Sequence, residues 1–415
     1  MREDGKWRFA SNNKGVIDGF NDSGIETFSA NSIASMVREV IQNSVDQQVD
    51  DSRPVVVDFD FFQVTQDEIP GGGQLSDIFD CCIEASKGDP VATKFFQQAQ
   101  KLMKGKIDVL RISDHNTTGL VGADTDDTKT PWHQLVKGRG SSNKNINSGG
   151  SFGIGKAAPL ACSYFHTIFY ASKVDDVDSY VGVSRLLSFE AKESGFFGKE
   201  YTTTGTGFYS ASDNMNAILK PFAMGSFRRK DNGTDIYILA LEKDKDLYGT
   251  IRLAVLENFF VSIEFQKLVV HVGQDTLDRN SLAQYIAQLD DKKYAALKDY
   301  YNLLIHRHDD PEDNRVIILD ADEYGKKYGI KDGECTLLLR QGEDLNQLVL
   351  MTRKTGMTLF PQSRLGNSIS YTGILLIQGD TMNQIFKAME MPAHDKWEPG
   401  RCKVDKTFYE MLIPI

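Results

Sequence analysis

The stretch SANSIASMVREVIQNSVDQQV, residues 29–49, decides how the rest of the chain is read. Ile33, Val37, Val40, Ile41 and Ser44 recur at three- and four-residue spacing, the stripe of a helix that buries one face. Ser29 or Asn31 is placed to cap its start, because a short polar side chain there satisfies backbone N–H groups that lack a partner within the helix. Glu39, Asn43 and Asp46 stand four and three residues apart, so they project in nearly one direction. An amide oxygen can ligate a hard cation such as Mg²⁺, which prefers oxygen ligands and also binds substrate phosphates. A carboxylate one turn away can polarise an attacking water. Polar residues on a helix are ordinarily a solvated face, and alone this triplet is no more than that. Segments further along shift the balance.

Residues 54–64 (PVVVDFDFFQV) read as a strand, rich in β-branched and aromatic types. Residues 75–104 read as helical, broken at Gly88-Asp89-Pro90. A second strand, IDVLRIS at 107–113, runs directly into Asp114 and the polar turn up to Gly119. An acidic residue at a strand end is a common place for a binding group, although taken alone an Asx turn is the commoner reason for it. Residues 121–148 are polar, with Lys137, Arg139 and Lys144 among Gly, Ser and Asn, and form a candidate lid. The loop ends in Gly149-Gly150-Ser151-Phe152-Gly153-Ile154-Gly155-Lys156, followed by an apolar helix start. Glycines in such a place let backbone N–H groups approach a phosphate. This is not a P-loop, since Ala157 stands where the Mg²⁺-binding hydroxyl belongs, and no strand precedes it as a dinucleotide fingerprint requires. Strands dominate from Phe165, and Asn232-Gly233-Thr234 opens another.

At 415 residues the chain exceeds one ordinary core, and two domains are expected. Residues 1–28, polar with Trp7, Phe9, Phe20 and Phe28 interspersed, read as an irregular N-terminal arm; 29–241 as the first domain; 242–415 as a second α/β domain. Hydrophobic residues make up 40% and charged residues 25%, a folded composition without a run long enough to span a bilayer. The start lacks the apolar segment of a signal peptide, and five scattered cysteines fit a reducing cytoplasm better than a disulfide scaffold or a zinc site. The net charge of −11 gives no general affinity for nucleic acid.

Taken in order, E-x-x-x-N-S-x-D on a helix, an Asp at a strand end, a long polar loop with G-x-x-G-x-G, and a Gly-Thr entering a strand resemble the GHKL superfamily of gyrase B, heat-shock chaperones, histidine kinases and MutL. The resemblance implies a Bergerat-type α+β fold, helices on one face of a mixed, largely antiparallel sheet, followed by a transducer-like domain. It implies ATP and Mg²⁺ as ligands. Glu39 is then the general base for the water attacking the γ-phosphate, Asn43 the Mg²⁺ ligand and Asp46 a supporting polar group. Asp114 accepts the adenine amino proton, Gly119 lines the base, and Thr234 reaches adenine through water. Gly150, Gly153 and Gly155, with Ser151, Phe152 and Ile154 between them, form the phosphate-covering part of a lid over about 121–156; Lys156 has no general equivalent in the family and either contacts a phosphate or is an ordinary first-turn lysine. Asn116 and Thr118 stand where the family has glycine. Glu39, and the lack of a histidine before this helix, favour the GHL branch of gyrase, chaperone, MutL and MORC-like proteins over histidine kinases. That branch implies a slow ATPase acting as a dimeric clamp with a protein partner, and a second-domain cation at the γ-phosphate, for which Lys354 is the candidate. DNA transactions or defence against foreign DNA are the context it implies. The alternative is a scaffold that holds ATP without hydrolysing it.

Overall fold

A computed structural model describes residues 4–138, 155–192, 198–324, 329–363, 370–391 and 396–401. The larger sheet holds β1 (Lys6–Ser11), β2 (Val55–Val64), β3 (Ile107–His115), β4 (Thr167–Val174), β5 (Val177–Arg185), β6 (Glu190–Ala191), β7 (Tyr201–Ser210), β8 (Gly233–Leu239), β9 (Leu268–Val272) and β10 (Asp275–Leu277). Their order is β1-β7-β5-β4-β8-β3-β2-β9-β10, with β6 on β7, and every pairing is antiparallel except β2 with β9. The smaller sheet holds β11 (Asn314–Ile318), β12 (Cys335–Gln341), β13 (Leu348–Thr352), β14 (Thr358–Ser363) and β15 (Tyr371–Ile377), in the order β11-β12-β15-β13-β14. The helices are α1 (Ser23–Glu26), α2 (Ser32–Val45), α3 (Gly72–Ala85), α4 (Pro90–Met103), α5 (Pro131–Val136), α6 (Ala158–Ala161), α7 (Leu247–Glu264), α8 (Arg279–Ala287), α9 (Ala295–Ile305), α10 (Ala321–Tyr324) and α11 (Asp380–Met389). The chain therefore adopts the α+β class with a large mixed, mostly antiparallel sheet.

Alternation along the strands explains the layering. Val55, Val57 and Phe59 of β2 and Leu110 and Ile112 of β3 face one side, against Met36, Val37, Val40 and Ile41 of α2 and Val255 and Phe259 of α7. Val109, Phe169, Tyr237 and Leu239 face the other side, against Phe79 of α3 and Phe96 and Met103 of α4. Helices thus cover part of the second face as well. The α3–α4 break falls where the sequence places it: Asp89 accepts from the N–H groups of Val91 and Ala92, and Pro90 occupies the first turn.

Two expected boundaries move. Residues 6–11 of the arm are a strand, β1, paired with β7 from Lys6↔Ser210 onward, with Trp7 and Phe9 buried in the sheet's second core. The cut at 242 does not separate the sheets, since β9 and β10 continue the larger sheet through Val55↔Leu268. Buried residues of α7 share the core of α2, so the chain beyond 242 completes the first core before the smaller sheet begins at Asn314.

Register gathers the site at one sheet end. Asp114 pairs with Val57, Asp235 with Ser113, and Thr234 with Ser172, so the ends of β3, β8 and β4 lie side by side beneath α2.

Candidate functional site

Helix α2 buries Ile33, Met36, Val37, Val40, Ile41 and Val45 and leaves Glu39 and Asp46 half-buried and Asn43 exposed. Its start differs from expectation. Asn31 sits at the cap without a side-chain cap bond, the chain enters through a 3₁₀ turn at Ser29–Asn31, and the Ser32 hydroxyl donates to Glu242 at 2.7 Å. Asp46 follows the last turn, its N–H donating to the carbonyl of Gln42.

Ser44 connects this helix to the strand ends. Its hydroxyl donates to Asp114 Oδ2 at 3.1 Å, while Asp114 Oδ1 accepts from Thr117 Oγ1 at 2.7 Å and from the N–H of Thr234 at 2.7 Å. Burial pushes the Asp114 carboxyl above the ordinary carboxylate range, against the pull of Arg229 and of these donors. Each carboxylate oxygen has two acceptor positions, and Oδ2 receives Ser44 alone among the described residues, leaving capacity for an amino group. Arg229 braces the pocket from behind: its guanidinium donates to the Asp114 carbonyl at 2.8 Å, to Ser113 Oγ at 2.7 Å and to Asp235 at 2.8 Å. Gly119, buried with φ of +67°, has room for no side chain, since a Cβ would lie 2.7 Å from the carbonyl oxygen of Lys173. Asn116 explains the missing glycine. It adopts φ of +61°, which Asn tolerates, and its amide donates to the carbonyls of Asp50 and Arg53, both at 2.9 Å.

Gly150, Ser151, Phe152, Gly153 and Ile154 lie outside the described residues. Gly155 lies against the general-base candidate, and a Cβ there would collide with Glu39 Oε2. Lys156 points elsewhere. Its ammonium donates to the carbonyls of Gln134, at 3.2 Å, and Gly138 at the end of α5. The helix expected after Gly155 is a 3₁₀ turn, Gly155–Ala157, and the four residues of α6. It stops there because the chain returns to β8, with Tyr164 N–H donating to Ala240 O and Glu242 N–H to Cys162 O.

Arg353, beside the expected Lys354, is brought to α2, as is Lys387. Lys354 Nζ pairs with Asp380 at 2.6 Å on the surface. Arg353 begins the tight turn between β13 and β14, closed by its N–H to Met357 O at 2.9 Å and Gly356 N–H to Arg353 O at 2.8 Å. Ser262 Oγ donates to Thr355 O and Lys267 Nζ to Lys354 O, which clamps the turn on the end of α7. Burial draws the Arg353 guanidinium down in pKa, and the charges of Glu390, Asp46 and Glu39 more than offset this, so it is raised overall. Its Nε and Nη2 donate to Glu390 at 2.9 and 2.6 Å, and Nη1 lies 3.8 Å from Asp46 Oδ2. Lys387 of α11 reaches the same oxygen at 3.6 Å.

Sequence reading missed Ser44 as a ligand of Asp114, and missed Arg229, Arg353, Lys387 and Glu390. The sequence signal was present only for Arg353, the other half of a basic pair at a strand end, where a planar guanidinium suits a bidentate carboxylate better than a lysine does.

The sequence matches no protein-family model and no curated relative. Among solved structures the chain is similar to the ATPase region of Saccharomyces cerevisiae topoisomerase II, at 9% identity and a TM-score of 0.40, covering 99% of this chain and 90% of that one. It is also similar to the ATPase and transducer domains of Balamuthia mandrillaris DNA topoisomerase II, at 9% identity and 0.42, covering 99% and 89%. The B-subunit of Myxococcus xanthus DNA gyrase matches at 10% identity and 0.38, covering 95% of both chains. The roles proposed below rest on this chain's own side chains.

Proposed function

We propose that the chain binds ATP with Mg²⁺ and hydrolyses it by a GHL-type mechanism, using nucleotide-gated closure and dimerisation as a clamp or switch. The observation that carries this reading is the Ser44–Asp114 hydrogen bond, which ties the base-recognition carboxylate to the helix bearing Glu39 and Asn43. At a rise of about 1.5 Å per residue, Glu39 lies roughly 7.5 Å along the axis from Ser44, so one extended ligand would pass from one group to the other.

In this reading Asp114 accepts the adenine amino group, with Thr234 and Gly119 beside the base. Bound Mg²⁺, held through the exposed Asn43 amide oxygen, would neutralise phosphate charge. Glu39 takes the proton of the attacking water, and Gly155, packed on that carboxylate, closes the site over it. Arg353 supplies the cation that Lys354 was expected to supply, offsetting charge that spreads over the transferred phosphoryl group. Homodimerisation on ATP, a protein partner, and a role in DNA transactions or defence against foreign DNA remain part of the proposal through the motif resemblance.

Steady-state phosphate release with Mg-ATP tests the reading. Turnover by the parent, with ATP binding but no turnover in Glu39→Ala, is the expected result. ATP binding without phosphate release by the parent would favour the non-hydrolysing scaffold, and no ATP binding would end the nucleotide reading.

A further inference from the structure

Four charged side chains meet behind the α2 face, one from α11 and one from the residue that follows it. The side chain of Asp46 is 8% exposed, that of Arg353 4%, of Lys387 14% and of Glu390 0%. Their formal charges cancel. Lys387 and Glu390 stand three residues apart, at the last turn of α11 and just beyond it, so they address the same neighbours. Apolar side chains of like volume are often at least as stabilising as a buried ionic set, so stability alone gives little reason for this one.

Its geometry has a direction. Glu390 engages two of the three guanidinium nitrogens of Arg353 in a fork, which fixes the plane of the group and turns the third nitrogen toward α2. On α2 that guanidinium is within the fields of Asp46 and Glu39. Lys387 gives Asp46 a second cation, at 3.6 Å against 3.8 Å for Arg353. Without Lys387, Asp46 would hold Arg353 alone and draw it from an anion arriving beside Glu39. Burial lowers the Lys387 pKa, and the charge of Asp46 opposes that shift.

We propose that Lys387 and Glu390 are positioning residues of the nucleotide site: Glu390 aims Arg353, Lys387 balances Asp46, and α11 thereby registers the terminal phosphate. The inference rests on the ATPase reading above. It makes the contribution of α11 specific to ATP over ADP, because Arg353, the group α11 holds, is the cation offered to the terminal phosphate, whereas the base pocket at Asp114 is common to both nucleotides.

The test uses the full chain and compares the parent with Lys387→Met, Lys387→Arg, Glu390→Gln and Asp46→Asn/Lys387→Met, Glu390→Gln being expected to lose the ATP-over-ADP preference by releasing Arg353. Phosphate release, ATP and ADP affinities, and thermal melting are measured for each. Lys387→Met should lower kcat about tenfold, the scale of losing a group that orients a functional one. It should narrow the ATP-over-ADP preference while ADP affinity stays within about twofold. Lys387→Arg should retain activity, and the double variant should recover much of the loss, since the unbalanced carboxylate is gone. A lower melting temperature in Lys387→Met with unchanged kcat and unchanged nucleotide preference would overturn the proposal and leave the ATPase reading standing. If Lys387→Met fails to fold, a soluble double variant with no better nucleotide preference than Glu390→Gln would overturn it too. A parent that binds neither nucleotide overturns both readings.

Discussion

At the scale of the residue, Asp114 is the group whose chemistry is most constrained. Its carboxyl is pushed upward by burial, and recognition of an amino donor needs the ionised form. ATP affinity should therefore begin to fall, as pH is lowered, at a higher pH than an ordinary aspartate would dictate. Titration calorimetry across a pH series should show this in the parent, and Asp114→Asn should bind weakly at every pH. The Gly155–Glu39 approach gives a second expectation. Gly155→Ala places a methyl on the Glu39 carboxylate and should cost about 10²-fold in kcat, the usual penalty for displacing a reacting group by an ångström. Unimpaired turnover in that variant would remove Glu39 from the chemistry.

Between residue and sheet stand the elements, and here β3 is the hinge of the design. Its end carries Asp114 toward α2, while the next residue, His115, faces the other way. His115 Nε2 lies 3.0 Å from Asp58 of β2, its Nδ1 lies 2.7 Å from Asp231, and His271 Nδ1 of β9 lies 2.7 Å from the other Asp58 oxygen. The bond to Asp58 holds the His115 imidazole above its ordinary pKa despite burial. A raised histidine pKa contributes stability that is complete below the unfolded value, about 6.5, and is lost as pH rises through the folded value. Thermal melts should show a fall in Tm over the window above about pH 6.5, absent in His115→Asn. The turn after β3 gives a separate expectation. Asn116→Ala loses bonds to Asp50 and Arg53 and keeps a left-handed φ, so it should cost about 1–3 kcal/mol in denaturant unfolding, and Asn116→Gly less.

On the scale of the whole molecule, the two sheets share a wall. Helix α7 sits in the core of α2, and its end clamps the turn that presents Arg353. A fragment ending at residue 241 would expose the faces left by Val255, Phe259 and Phe260 and leave β2 without β9. It should fail to give a cooperative melting transition, whereas a folded fragment with a sharp transition would show that the first core closes without α7. Within the full chain, Phe259→Ala should destabilise by about 3–5 kcal/mol. Coupling of the proposed hydrolysis to the second sheet would follow from the same wall, because Arg353 is held on both sides by elements that come after residue 241.

The sequence by itself determined the α+β class, a helix within 29–49 with its polar face, the strand ending in Asp114 and the Gly-Thr entry to β8. These depend on side-chain period and on turn chemistry, which are local and survive without knowledge of what packs where. It also exposed the departures at Asn116 and Thr118, although only the backbone angle at Asn116 explained the first. Tertiary structure alone decided that β9 and β10 complete the larger sheet, that Ser44 faces Asp114, and that Arg353 rather than Lys354 turns inward to meet Glu390 and Asp46. A basic pair at a strand end looks the same from either residue. Which cation is buried depends on a carboxylate 37 residues further on, beyond the reach of any local pattern.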